Sequence, residues 1–133
     1  MKKVRGYIFS RPFLDERAPQ HVQNIVIRDF CKKNSYQYLL SASEYRMEKS
    51  YSVLEDLVKN SKSFDGIAAY SLLMLPDKHS HRTKLLKTLI NKKKFFCFAV
   101  EDITVKVSSD IKEINDLWKI KKTLMSTYLS KIK

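Results

Sequence analysis

Residues 64–70 read Phe-Asp-Gly-Ile-Ala-Ala-Tyr, a near-continuous apolar run without helical spacing. A strand covered on both faces reads this way, whereas a strand with one wet face alternates. The run is therefore expected to be a central strand of a parallel sheet. Residues 95–100, Phe-Phe-Cys-Phe-Ala-Val, repeat the pattern. Between the two runs, Leu85, Leu86, Leu89 and Ile90 share one side of a helical period, with Lys84, Lys87, Lys92 and Lys93 elsewhere. Strand, amphipathic helix, strand is the unit from which parallel sheets are built.

The same alternation extends outward. Toward the amino end, 5–10 and 36–40 are expected strands. Val22, Ile25, Val26 and Phe30 predict a helix from near Gln20 to near Asn34, and Tyr51, Leu54, Leu57 and Val58 predict a second that stops at 60–62. Toward the carboxyl end, 103–107 reads as a short edge strand. Asp110 to Glu113 then resembles a capping box opening an amphipathic helix over about 110–131. Its apolar side carries Ile111, Ile114, Leu117, Trp118, Met125, Tyr128 and Leu129. The expected fold is α/β: one domain over 1–133, three layers, and a mostly parallel sheet of four or five strands with helices on both faces.

The chain has 133 residues, of which 44% are hydrophobic and 30% charged. That length buries roughly two-thirds of the extended chain's surface, which is enough for a core without disulfides. Cys31 and Cys97 sit in apolar surroundings and are expected to be reduced core thiols. The apolar stretch after the charged start is too short for a signal peptide, and no run approaches the roughly 20 residues needed to span a bilayer. A soluble, cytoplasmic protein is expected, with no membrane insertion. Gly6 and Gly66 are the only glycines, so a Gly-rich phosphate loop is excluded and no cofactor is implied. Any phosphate must be held by side chains and a helix end.

In open parallel sheets ligands bind beyond the carboxyl ends of the strands. The segment 10–24, SRPFLDERAPQHVQN, gathers Ser10, Arg11, Arg17, Gln20, His21 and Asn24 at the entry to the first helix. A helix amino end with two arginines makes an anion site, with Gln20 and Asn24 orienting the ligand. The alternative is that Arg17 pairs with Asp15 or Glu16 and that Gln20 only caps the helix. His21, on the first turn, is expected to be a neutral imidazole and a usable base, or an ordinary polar helix residue. Glu44 and Tyr45 after the second strand, Tyr70 after the third and Glu101 after the fourth reach the same rim. There Glu44 or Glu101 would assist proton transfer, or these residues would serve turn capping and packing. Ser10 lacks the surroundings of a nucleophile elbow.

His79 and His81 have a spacing found in some metal sites, but two ligands on a Lys-rich loop do not make one, and no metal is expected. The net charge is +12, and 20 of the 26 basic residues are Lys, scattered over the helices. Without an arginine-aromatic reading surface only weak, nonspecific attraction to nucleic acid is expected, and lysine enrichment also follows from an AT-biased genome. Trp118, Met125 and Tyr128 either pack on their own core or form a helix-helix contact in a homodimer.

Two family resemblances apply. Residues 6–11 (GYIFSR), 23–35 (QNIVIRDFCKKNS), 66–76 (GIAAYSLLMLP) and 95–102 (FFCFAVED) resemble the catalytic domain of serine recombinases, the resolvases and invertases. The resemblance implies a resolvase-like or flavodoxin-like fold. It does not imply an active recombinase, because Phe9-Ser10-Arg11 stands where that family carries a strand-end Arg and a nucleophilic Ser. Leu73, Met74 and Asp77 replace the acidic and arginine residues expected after strand three. A second resemblance runs to about Val107. Residues 5–13 (RGYIFSRPF), 16–31 (ERAPQHVQNIVIRDFC), 38–45 (YLLSASEY) and 66–76 are similar to the bacterial sporadic carbohydrate cluster protein family. It implies a role in surface-carbohydrate or polysaccharide biosynthesis. The expected partner is then a phosphorylated sugar or nucleotide sugar, with isomerase- or lyase-type acid-base chemistry if the protein is an enzyme. A catalytically inactive resolvase-like binding or assembly module, with DNA as its partner, is the alternative.

Overall fold

The computed structural model describes residues 1–11, 18–47 and 49–132. Five strands, β1 (Lys3–Phe9), β2 (Gln37–Glu44), β3 (Gly66–Ala69), β4 (Phe95–Phe98) and β5 (Ile103–Val105), form one sheet in the order β2-β1-β3-β4-β5. The β1–β2, β1–β3 and β3–β4 pairs are parallel, and β5 returns antiparallel beside β4. The run at 64–70 is thus central, as its uniform apolarity predicts.

Alternation along the strands sends side chains to two cores. Val4, Ile8, Ala68, Phe95 and Cys97 meet Ile27, Phe30 and Cys31 of α1 (Gln20–Lys33). Tyr7, Phe9, Ile67, Ala69, Phe96 and Phe98 face α2 (Ser52–Lys59), α3 (His79–Asn91) and α4 (Ser109–Ile132). The layers are one helix, sheet, three helices. Both cysteines are buried free thiols.

One strand differs from the sequence reading, and one alternative left open there is answered. β2 continues four residues past Leu40, because β1 accompanies it across an irregularity between Arg5 and Tyr7 to the Phe9–Glu44 pair. As an edge strand it leaves Leu40 and Ser43 exposed, so its polar second half reads like a loop. Trp118, expected as either core or dimer contact, belongs to the core with Ile111 and Ile114.

Scarcity of glycine leaves its mark on the helix ends. α1 and α3 both close with a bond from a residue beyond the helix back to its last turn, Tyr36 N–H to Cys31 and Lys94 N–H to Leu89. The left-handed residues that make these turns are Ser35 (φ 57°) and Lys93 (φ 62°). Gly66 is required for a different reason: a Cβ there would overlap the Phe95 ring on the neighbouring strand.

Candidate active site at the carboxyl edge of the sheet

The ends of β1 and β2 are closed on one another. Ser10 Oγ donates to the Glu44 carbonyl. The Arg11 guanidinium, only 9% exposed, lies 3.8 Å from the Phe9 ring centre and donates to the carbonyls of Tyr45, Met47 and Ser50. It laces the β2–α2 loop from below. Arg17 lies outside the described residues. The Glu44 carboxylate, 1% exposed, accepts from five donors: the Tyr7 and Ser50 hydroxyls and the N–H groups of Tyr45, Val53 and Leu54. The last two are unpaired donors at the start of α2, so this carboxylate caps that helix from the neighbouring strand. Burial, then the adjacent Glu44 charge, holds the Tyr7 phenol well above its ordinary range.

Glu101 behaves alike on the other side. Its carboxylate accepts from Ser71 Oγ (2.7 Å) and Leu72 N–H (3.0 Å), opening the short 3-10 turn Leu72–Met74, and it pairs with Lys121 of α4. The geometry therefore gives both expected proton carriers a capping role. Gln20 and His21 lie exposed on the first turn of α1, while Asn24 accepts from the Tyr38 hydroxyl at 3.2 Å. Tyr45 is exposed and Tyr70 packs between the two cores. Ser10 meets Glu44, and Arg11 meets Tyr45, only through backbone carbonyls. Gln23, which the sequence reading passed over, is fully buried. Its amide accepts from Phe9 N–H and donates to the Phe9 and Ala18 carbonyls, standing in for a missing strand partner.

The open part of this edge is a cleft of about 410 Å³ between the β2–α2 and β3–α3 loops. Its lining includes Lys49, Tyr51, Glu55, Asp77, Lys78 and His81. His81 Nε2 lies 2.8 Å from Glu55 Oε1, and the Tyr51 ring stands edge-on to the imidazole with centres 5.9 Å apart. Lys78, at the amino end of α3, makes no side-chain cap, and no acidic residue occupies the first turn. The partial positive charge of that helix end is left for a ligand. Arg82, 3% exposed, fixes the cleft's lip. It donates to the Pro76 (3.0 Å) and Asp77 (2.8 Å) carbonyls and to Asn115, with its guanidinium 3.8 Å from the Trp118 ring centre. Burial lowers its pKa, with Asp77 opposing.

The sequence reading did not single out these residues: it read Tyr51 as part of the apolar stripe of α2 and placed His79 and His81 on a loop, whereas both histidines lie on the first turn of α3. The one available signal was His79-Ser80-His81. Among the described residues no group of three or more His, Cys, Asp or Glu is placed to hold a metal, and no helix is long and apolar enough to cross a membrane.

No family model and no curated protein matches the sequence. Among solved structures, the chain is similar to the N-terminal catalytic domain of TP901-1 integrase, with a TM-score of 0.69 and 18% identity over 92% of this chain and 98% of that one. It is also similar to a resolvase family site-specific recombinase from Streptococcus pneumoniae, with a TM-score of 0.67 and 11% identity over 98% and 95%. At these identities the likeness is one of fold, and it bears out the resolvase-like architecture. Neither structure supports the carbohydrate-cluster resemblance.

Proposed function

We propose that the chain binds a small phosphorylated sugar in the cleft between the amino ends of α2 and α3. The observation that carries this reading is the mixed lining: ammonium groups from Lys49 and Lys78, carboxylates from Glu55 and Asp77, and an aromatic wall from Tyr51. Phosphate oxygens accept from the ammonium groups and the open end of α3, while sugar hydroxyls donate to the carboxylates. Inorganic phosphate alone would meet two repelling carboxylates, and an apolar ligand would strip water from four charges. The volume lies toward the lower end of the roughly 300–1,000 Å³ spanned by small-molecule pockets, which suits one sugar ring and its phosphate.

The His81–Glu55 pair is suited to take and return a proton, so isomerase- or lyase-type chemistry remains the reaction class proposed. The role in carbohydrate biosynthesis expected from the family resemblance agrees with this ligand class. Arg11 contributes from behind, by holding Ser50 and Tyr51 in the cleft wall. Thermal unfolding tests the reading: a hexose phosphate should raise the midpoint by mass action, and Lys78→Ala should abolish the rise. A midpoint unmoved by sugar phosphates, or a rise that survives Lys49→Ala and Lys78→Ala, would refute it.

A second reading, a resolvase-like assembly module, is favoured by one observation. Ile120 and Leu124 stand 57% and 66% exposed one turn apart on α4, beside half-exposed Leu117 and Met125. A second copy of α4 would bury that stripe. Recombination is not proposed, because Ser10 commits its hydroxyl to the Glu44 carbonyl. Sedimentation decides: a dimer converted to monomer by Leu124→Glu supports the reading, and a monomeric parent chain removes it.

A further inference from the structure

We propose that a groove at the opposite, amino edge of the sheet binds a nucleotide polyphosphate, with the base against Tyr36 and the phosphates among Lys2, Lys93 and Lys106. The groove has a volume of about 610 Å³, and its lining includes these three lysines and Lys94. The topology brings them together: Lys2 precedes β1, Tyr36 precedes β2, Lys93 and Lys94 precede β4, and Lys106 follows the antiparallel β5.

None of the lining residues is acidic. Two carboxylates at this edge, Asp65 and Asp110, accept from backbone N–H groups. Asp65 accepts from Lys3 N–H at 2.7 Å, a bond that holds its carboxyl below the ordinary range. Asp110 accepts from the N–H groups of Lys106 and Val107 at 3.0 and 3.1 Å. Lys94 donates its ammonium to the Phe64 carbonyl at 2.8 Å. Lys2, Lys93 and Lys106 are exposed, and of the three Lys2 lies within electrostatic reach of Asp65. Three such cations in one concavity strongly favour an anion of matching charge.

Aromatic residues narrow the class further. Tyr36 is half-buried with its ring centre 5.3 Å from that of Phe95, and Phe95 is nearly covered, so the floor offers one ring. One ring takes one base, whereas a nucleic-acid strand is held by successive aromatics along a track. Lysines hold phosphates as point charges without specifying geometry, which fits a flexible polyphosphate. This site shares no residue with the α2–α3 cleft, so either can fail without the other.

Isothermal titration of the full chain with ADP, inorganic pyrophosphate and an unstructured oligodeoxynucleotide tests the proposal. ADP should bind one to one, pyrophosphate more weakly, and the oligonucleotide no more tightly than ADP. The double substitution Lys93→Glu with Lys106→Glu, both on the surface, should weaken ADP binding by about tenfold or more, as loss of charge-assisted bonds does. Lys78→Ala should leave it unchanged. The proposal is overturned by absence of ADP binding, by pyrophosphate matching ADP, by tighter oligonucleotide binding, or by sensitivity to Lys78→Ala in place of the double substitution.

Discussion

Two neighbouring regions of the carboxyl edge contain similar residues in opposite states. At the ends of β1 and β2, Arg11 and Glu44 are buried and engaged, Arg11 by loop carbonyls and Glu44 by N–H groups and the Tyr7 and Ser50 hydroxyls. In the cleft beside them Lys49 and Lys78 are exposed, and Glu55 pairs with His81. Ser50 and Tyr51 belong to both regions. The difference teaches that residue type marks where chemistry can happen, while availability is decided by whether nearby N–H and C=O groups need the side chain first.

Substitutions should separate the two regions. Glu44→Ala leaves up to five donors at the start of α2 and around it without their acceptor, and should lower unfolding free energy by more than about 3 kcal/mol in urea titration. Arg11→Ala, which frees three loop carbonyls beside water, should cost about 2 kcal/mol. Lys78→Ala should change stability by less than about 0.5 kcal/mol while abolishing the sugar-phosphate effect. If Lys78→Ala proved as destabilising as Glu44→Ala, the distinction between a closed and an open half would fail.

A gentler contrast lies in the other core. Burial pushes the Cys31 thiol up to about 11 and the Cys97 thiol to about 12, from an ordinary value of 9.0. Raised folded values mean that this contribution to stability is intact below pH 9 and is lost as pH rises toward 11 and 12, because unfolded thiols ionise first. Replacing both cysteines with alanine should flatten that alkaline decline in urea midpoints. A gain rather than a loss is expected at Ser35→Gly, which should stabilise by up to about 1 kcal/mol in urea titration by relieving a left-handed backbone.

Fold and site differ in how far the sequence reveals them. The buried strands were legible because residues 66–69 and 95–98 are apolar on both faces, and α1 because its apolar spacing ends at Asn34. β2 was cut short since an edge strand leaves Ser43 exposed, and its buried Glu44 is tolerated only because donors from β1 and the start of α2 meet it. The arginine turn drew attention as a cluster of donors, yet the carbonyls that satisfy Arg11 come from a loop more than thirty positions away. No periodicity encodes that pairing. The cleft escaped notice because His81, Glu55 and Lys78 belong to two different helix entries that become neighbours only after α2 and α3 pack together.

The most direct test is a titration of the isotope-labelled chain with a hexose phosphate, followed by amide chemical shifts. Saturable shifts are expected at Tyr51, Asp77, Lys78 and His81, with Gln20, His21 and Asn24 of α1 unmoved. Shifts confined to the first turn of α1, or none at saturating ligand, would contradict sugar-phosphate binding in the cleft.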